Sequence, residues 1–142
     1  MEKELIAEAS VKIKASIDKV WDALINPSII KEYMFGTEVI SDWNVGSSIV
    51  WKGTWKEKPY EDKGKILKME PSKMLVISHF SPLSGEPDAP ENYHTLTYEL
   101  SKEGEVVRVK LAQDNNEDGK AKEHSRDMWQ KMLEAMKEVL EK

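Results

Sequence analysis

The sequence predicts an α+β fold, in which a curved antiparallel sheet of six to seven strands grips a long C-terminal helix and two short helices follow the first strand. Several short runs alternate apolar and polar residues, which is the period of β-strands. The final segment instead repeats apolar residues every three or four positions, as an amphipathic helix does. Because the strands carry one polar face, we expect a sheet that is covered on one side only, with the helix on its concave face.

A strand and two short helices open the chain. The segment from Leu5 to Ile13 alternates apolar and polar residues, which predicts a strand. Ser16 is expected to cap the first helix, since its hydroxyl can accept a hydrogen bond from a backbone amide of the first turn. Asn26 and Pro27 end this helix and begin the next, because proline fits the first helical position, and Gly36 closes the second helix.

Six further strand-like runs follow, and two of them flank a long polar connection. The runs are Thr37 to Ser41, Ser47 to Lys56, Tyr60 to Met69, Lys73 to Phe80, Tyr93 to Leu100 and Glu105 to Gln113. The third run is ambiguous in register, because Ile66, Leu67 and Met69 do not share one parity. The connection between Phe80 and Tyr93 is longer than an ordinary hairpin loop and contains several prolines, so we expect it to have a specific role.

The last segment predicts one long helix, from about Lys120 to Leu140. Lys, Arg and Glu fill one side of it, and a wide stripe runs along the other. The stripe consists of Ala121, Ser125, Met128, Trp129, Met132, Leu133, Met136, Val139 and Leu140. A stripe of this width requires a broad apolar surface, which the concave face of a curved sheet supplies.

Length, charge and cysteine content exclude several classes of protein. A chain of 142 residues is expected to form one domain over residues 1–142, and its net charge of −5 argues against binding nucleic acid. There is no apolar run long enough to span a membrane, and MEKELIAEAS lacks the apolar stretch of a secretory signal, so we expect a cytoplasmic protein. With no cysteine, disulfides, thiol nucleophiles and cysteine-ligated metals are excluded.

Six segments, spread over nearly the whole chain, carry a resemblance to a known family. They are VKIKASIDKVWDALINPSIIKEY, SDWNVGSSIVWKG, YEDKGKILKMEPSKMLVISHFSPLSG, PENYHTLTYEL, VKLAQDNN and EHSRDMWQKMLEAMKEVL. They resemble the START-like SRPBCC superfamily, and within it the bacterial single-domain branch similar to the C-terminal domain of the heat-shock protein 90 ATPase activator. The resemblance implies a helix-grip fold with an apolar cavity between the sheet and the long helix. Members of the superfamily carry small molecules, assist a chaperone, or act as cyclases or dehydratases, so each of these functions is implied here.

Strand parity brings polar residues to one end of the predicted concave face. A hairpin turn near Glu103 would pair Leu100 with Val107, Tyr98 with Val109, Leu96 with Leu111 and His94 with Gln113. His79 shares the parity of Leu75 and Ile77, so it also points inward, and the long connection joins its strand end to that of His94. We therefore predict a row of His79, His94 and Gln113 at this end of the sheet.

We expect this row to face an apolar cavity, since apolar walls with a few convergent polar groups are typical of small-molecule sites. The predicted ligand-binding residues are Trp51, Trp55, His79, His94, Leu96, Leu111, Gln113, Met128 and Met132. The connection from Pro82 to Glu91 is expected to border the mouth of the cavity. A simpler interpretation stays open, in which the polar row only forms hydrogen bonds with neighbouring groups and water.

The sequence assigns no catalytic residue, metal site or cofactor. Two converging histidines fall short of the three or four ligands of a zinc site, and His124 is expected to lie at a distance. Inward parity places no carboxylate clearly beside the histidines, because Asp114 falls on the opposite parity from Gln113. We therefore expect a protein that binds a small apolar or aromatic molecule. Contact with a chaperone is the second hypothesis, and acid–base catalysis by His79 or His94 is the third.

Overall fold

The computed structural model of the protein describes residues 5–55, 57–81, 87–116 and 118–142, with the side chain of Trp55 excepted. These residues form a curved seven-stranded sheet and three α-helices, which confirms the predicted α+β class. In chain order the elements are β1 (Ala7–Ile13), α1 (Ile17–Ile25), α2 (Pro27–Tyr33), β2 (Glu38–Ser41), β3 (Ser48–Trp55), β4 (Lys58–Glu70), β5 (Met74–His79), a short 3-10 turn (Pro90–Asn92), β6 (His94–Glu103), β7 (Val106–Gln113) and α3 (Gly119–Leu140).

The sheet is antiparallel throughout, in the order β1-β7-β6-β5-β4-β3-β2. Helices α1 and α2 therefore carry the chain from one edge of the sheet, β1, to the opposite edge, β2. Helix α3 lies on the concave face, where Trp129, Leu133 and Met136 of its stripe are buried in the same apolar core as strand residues such as Val109. Burial of this stripe holds the helix on the sheet, because apolar surface removed from water is the main stabilising contribution.

The short helices begin where the sequence predicts. The Ser16 hydroxyl accepts a hydrogen bond from the backbone amide of Lys19 at 3.2 Å and caps α1. The Asn26 side chain accepts one from the amide of Ser28 at 3.0 Å, which leaves Pro27 at the first position of α2. Past the end of α2, Phe35 has a φ of 55°, a conformation that is uncommon for an aromatic residue.

A β-bulge in β4 explains the ambiguous parity of that strand. The pairing with β5 shifts between Ile66 and Lys68, so Leu67 is the extra residue. Ile66 is opposite Ile77 and Met69 is opposite Leu75, and both pairs face the core. Leu67 is pushed outward and is 47% exposed.

The β6–β7 hairpin differs from the predicted register by two residues. The structure pairs Leu96 with Gln113, Tyr98 with Leu111, Leu100 with Val109 and Lys102 with Val107. The strands extend to Glu103 and Val106, so the turn lies one residue later than expected, and Gly104 adopts a φ of 66° in it. A two-residue shift keeps every side chain on its predicted face but changes its neighbour across the hairpin.

Candidate functional site

A cavity of about 490 Å³ lies between the concave face of the sheet and the first half of α3. Its lining is mostly aromatic and aliphatic, with a small number of polar side chains, as in small-molecule sites. The described lining residues are Met34, Phe35, Thr37, Trp51, Thr54, Tyr60, Asp62, His79, Ser81, Leu96, Tyr98, His124, Met128, Trp129 and Met132. The volume falls within the range of ligand pockets, about 300–1,000 Å³.

Five of the predicted ligand-binding residues line this cavity. They are Trp51, His79, Leu96, Met128 and Met132. Met132 and Leu96 are buried against the core, whereas Met128 is 47% exposed and lies at the mouth together with Phe35, which is 75% exposed. Trp55 ends β3, and its side chain lies outside the described part of the structure.

Three predicted residues are not among the described lining residues of the cavity. Leu111 lies opposite Tyr98 and is fully buried in the core. His94 pairs with His79 across the strands, as predicted, with ring centroids 6.3 Å apart, but its Nδ1 lies 2.9 Å from the carbonyl oxygen of Asp114. Gln113 lies opposite Leu96, not opposite His94, so the predicted row of three polar residues is wrong.

Gln113 belongs instead to a buried polar network that joins β7 to α3. Its side-chain oxygen accepts a hydrogen bond from the Trp129 indole at 2.5 Å. The Ser125 hydroxyl donates to the Asn116 side-chain oxygen at 2.9 Å, and the Asn116 amide donates to the carbonyl of Leu5 at 2.8 Å. Because these donors and acceptors satisfy one another, the network fixes the start of α3 over the sheet and is not required to contact a ligand.

The principal polar group of the cavity wall is a pair formed by Asp62 and His79. Oδ2 of Asp62 lies 2.9 Å from Nε2 of His79, and both side chains are mostly buried. The rings of His79 and Trp51 meet edge to face, with centroids 5.0 Å apart and planes at 68°. Asp62 is directly opposite Trp51 in the β3–β4 ladder, which places the carboxylate on the concave face.

Asp62 was not predicted to point inward because the parity of β4 changes at the bulge. Counted back from Ile66, before the bulge, Gly64, Asp62 and Tyr60 all share the inward parity. This count along β4 is the sequence signal that could have identified Asp62 as an inward residue. The expectation that no carboxylate lies beside the histidines is therefore wrong.

Two polar atoms of this pair have no partner within the described part of the chain. Oδ1 of Asp62 and Nδ1 of His79 are both buried and neither has a hydrogen bond there. Buried polar atoms are normally paired, so unpaired ones on a cavity wall point to a group that the described residues do not supply.

Tyr60 forms the wall of the cavity near the end of α2. Its ring lies over Gly53, the residue opposite it in the sheet, where a Cβ atom would come within 2.6 Å of the tyrosine oxygen. The Thr37 hydroxyl donates to the carbonyl of Met34 at 2.7 Å, so it accepts from the Tyr60 hydroxyl, also at 2.7 Å. Gly53 thus provides the space for a ring that bridges β4 and the segment after α2.

Two further residues complete the polar part of the lining. His124 lines the cavity from the second turn of α3, and among the described residues it does not join Asp62 and His79 in a group that could hold a metal. Burial raises the pKa of Tyr98, which keeps its phenol neutral at physiological pH. Tyr98 therefore contributes a hydroxyl but no charge to the wall.

The described part of the long connection packs on the opposite side of the sheet. Lys63, next to Asp62, points to the outer face and forms an ion pair with Asp88. The Tyr93 hydroxyl donates to Oδ1 of Asp88 at 2.7 Å, and its ring stacks on Phe80 with centroids 5.2 Å apart. The prediction that the connection borders the mouth is thus wrong for residues 87–91, while residues 82–86 lie outside the described residues and Ser81 does line the cavity.

Residues 87–93 border an outer groove of about 560 Å³. Its lining residues are Ser48, Val50, Lys63, Gly64, Lys65, Ser78, Asp88, Pro90 and Tyr93. Hydrogen bonds that the Asp88 carboxylate accepts from Lys63 and Tyr93 lower its pKa, and the same contacts raise the pKa values of Lys63 and Tyr93. These contacts fasten the segment to the outer face.

Metal ligation and membrane insertion receive no support from the described residues. Among them, no three His, Asp or Glu side chains come together as a metal site would require. None of the helices in the described ranges combines the length and apolar character needed to cross a bilayer.

Comparison with known structures gives close relatives of the fold. A protein from Cytophaga hutchinsonii, known from its solution structure, is 57% identical over 99% of this chain and 97% of its own, with a TM-score of 0.86. The Aha1 dimer from Colwellia psychrerythraea is 21% identical over 96% of both chains, with a TM-score of 0.75. CalU16 from Micromonospora echinospora is 19% identical over 97% of this chain and 85% of its own, with a TM-score of 0.74. The last two likenesses concern the fold alone.

The family assignment follows from the sequence match. No functionally curated protein matches the chain. Residues 14–141 match the family described as Activator of Hsp90 ATPase homolog 1-like protein, which covers all elements from α1 to α3. The chain therefore belongs to the Activator of Hsp90 ATPase homolog 1-like family, as its resemblance to START-like proteins implied.

Proposed function

We propose that the protein binds a small apolar or aromatic molecule in the cavity between the sheet and α3. The observation that carries this proposal is the composition of the wall, where Trp51, Leu96 and Met132 surround a single carboxylate–imidazole pair. Apolar walls supply affinity, at about 25 cal/mol for each Å² of apolar surface removed from water. The few polar groups supply orientation.

The mouth of the cavity is suited to the entry of an apolar ligand. Met128 and Phe35 stand at it with much of their side chains exposed, although neither is charged. Methionine adapts its shape to different apolar partners, so Met128 can cover ligands of differing outline.

The test is a titration of isotope-labelled protein with methylnaphthalene, a probe without hydrogen-bonding groups, followed by NMR. We expect saturable shifts of the Trp51 indole and of the Met128 and Met132 methyl groups. Leu67, on the outer side of the β4 bulge, serves as an internal reference that should not move. A panel of apolar and aromatic probes that leaves the cavity residues unshifted would refute the proposal.

A second candidate, contact with an Hsp90-type chaperone, is supported by the family to which the chain belongs. Its test is the ATPase rate of the chaperone from the same organism, with and without this protein. Stimulation would support it, and an unchanged rate across a range of concentrations would exclude it.

A third candidate, acid–base catalysis, is favoured by the Asp62–His79 pair. A carboxylate that orients an imidazole is a common arrangement for proton transfer, and the pair lines the cavity. If a bound molecule is chemically altered on incubation with the protein, the His79→Gln variant should bind it without altering it. Equal conversion by this variant would exclude His79 as the acid or base.

A further inference from the structure

We propose that the ligand of this cavity presents a hydrogen-bond donor, an ammonium or a hydroxyl group, to Asp62 and His79, and that the cavity rejects ligands that end in a carboxylate. This inference rests on the proposed function, because it concerns the same cavity. It goes further by stating the chemistry of the ligand's polar end.

The charge of the wall is the first argument. Asp62 is the one carboxylate among the described lining residues, and no lysine or arginine accompanies it within that set. A carboxylate held away from water without a full counter-charge is unfavourable, and a second carboxylate brought beside it by a ligand would add repulsion. A ligand that brings a positive charge or a hydrogen-bond donor stabilises this carboxylate.

The unpaired polar atoms of Asp62 and His79 are the second argument. Oδ2 of Asp62 is bonded to Nε2 of His79, while Oδ1 of Asp62 and Nδ1 of His79 have no partner in the described ranges. An ionised carboxylate can only accept hydrogen bonds. If Nε2 carries the hydrogen of its bond to Oδ2, the neutral imidazole has a lone pair on Nδ1. Oδ1 of Asp62 and Nδ1 of His79 then both require a hydrogen-bond donor.

Oδ1 of Asp62 and Nδ1 of His79 are both closed to solvent. A ligand group therefore reaches them through a turn of the carboxylate or of the imidazole, each of which rotates about one side-chain bond.

The aromatic lining is the third argument, and it bears on which donor is preferred. Trp51, Tyr60, Tyr98 and Trp129 all line the cavity, and Trp51 adjoins His79. Aromatic faces attract cations, most strongly when water is excluded. The carboxylate and the aromatic faces both favour an ammonium group. A hydroxyl group gains only the hydrogen bonds to Asp62 and His79.

The experiment compares four naphthalene derivatives that differ only in the polar end. Their dissociation constants are measured by NMR titration of the unchanged protein with naphthylmethylamine, naphthol, methylnaphthalene and naphthoic acid. We expect the amine to bind at least about tenfold more tightly than methylnaphthalene, as hydrogen bonds to charged groups predict. Naphthol should fall between them, and naphthoic acid should bind most weakly.

Two variants then separate the charge of Asp62 from its shape. Asp62→Asn should lower the preference for the amine over methylnaphthalene, measured as the ratio of the two dissociation constants in that variant. Glu61→Gln removes the neighbouring carboxylate, which points to the opposite face and is 63% exposed, so the preference should remain. The ligand series on the unchanged protein keeps the test valid if Asp62→Asn fails to fold.

The outcomes distinguish this inference from the proposed function. If methylnaphthalene binds in the cavity but neither donor binds more tightly, or if naphthoic acid binds best, the donor inference is overturned and the binding function stands. If none of the four binds in the cavity, both fail.

Discussion

The imidazole of His79 meets the indole of Trp51 edge to face at 5.0 Å, and the same imidazole is hydrogen-bonded to Asp62 on the adjacent strand, β4. The three residues come from the neighbouring strands β3, β4 and β5, so the apolar wall and the polar pair belong to one surface of the sheet. This arrangement is the basis of the proposed site, because it places a directional polar group within an apolar cavity.

Narrowing the mouth should weaken ligand binding. The Met128→Trp variant adds an indole at the entrance, and we expect the dissociation constant for methylnaphthalene to rise at least about tenfold, since the larger side chain fills space that the ligand needs. Leu67→Trp is the matched control, because Leu67 is equally exposed, at 47%, but lies on the outer side. Equal affinities of the two variants would contradict this location of the mouth.

The position of the Tyr60 ring should depend on the absence of a side chain at Gly53. We expect Gly53→Ala to lower the free energy of unfolding by roughly 1–3 kcal/mol, because the added methyl displaces the ring from its contact with Thr37. Urea denaturation measures the change. Gly119→Ala is the control, since a Cβ at Gly119 meets nothing within 4 Å at the start of α3, and its stability should be unchanged or slightly higher. A stable Gly53→Ala variant with an unmoved Tyr60 would contradict the assignment.

Gln113 should stabilise the fold without selecting the ligand. Gln113→Leu leaves the Trp129 indole without its acceptor, so we expect a loss of roughly 1–3 kcal/mol of unfolding free energy for this one buried donor. The ligand preference of the folded variant should be unchanged. A changed preference for the amine over methylnaphthalene would show instead that Gln113 contacts the ligand.

The attachment of residues 87–93 to the outer face should weaken in acid. The pKa of Asp88 is lowered by Lys63 and Tyr93, so its contribution to the attachment is fully present above the unfolded pKa of about 3.9 and is lost as the pH falls through the lower folded pKa. The pKa of Lys63 is raised, so its contribution is lost only as the pH rises above its unfolded pKa of about 10.4 and through the folded one. NMR shifts of the Tyr93 ring should therefore be constant at neutral pH and move in acid. Asp88→Asn should remove the acid transition, and an unaltered transition in that variant would assign it to another group.

The fold was predictable because the periodic patterns are long and consistent. The stripe of α3 and the alternation in β6 and β7 each depend on many residues, so an error at one position changes little. The site depends on single residues and was less predictable. The hairpin turn lies one residue later than expected, which preserves the inward face of Leu96 but moves Gln113 away from His94.

The missed residue and the misplaced connection have separate physical causes. One extra residue at Leu67 reverses the parity of β4, and this concealed the inward position of Asp62. The placement of residues 87–91 depends on an ion pair between Lys63 and Asp88, which are distant in sequence. Local patterns carry no information on which side of a sheet such a contact draws a loop.

Intermolecular NOEs between bound methylnaphthalene and the protein show directly where the ligand lies. We expect NOEs from the naphthalene protons to Leu96 and Met132, with Met128 contacted at the mouth. NOEs confined to Val50 and Tyr93 of the outer groove, or the absence of any NOE to Leu96 and Met132 in a saturated complex, would contradict this position of the ligand.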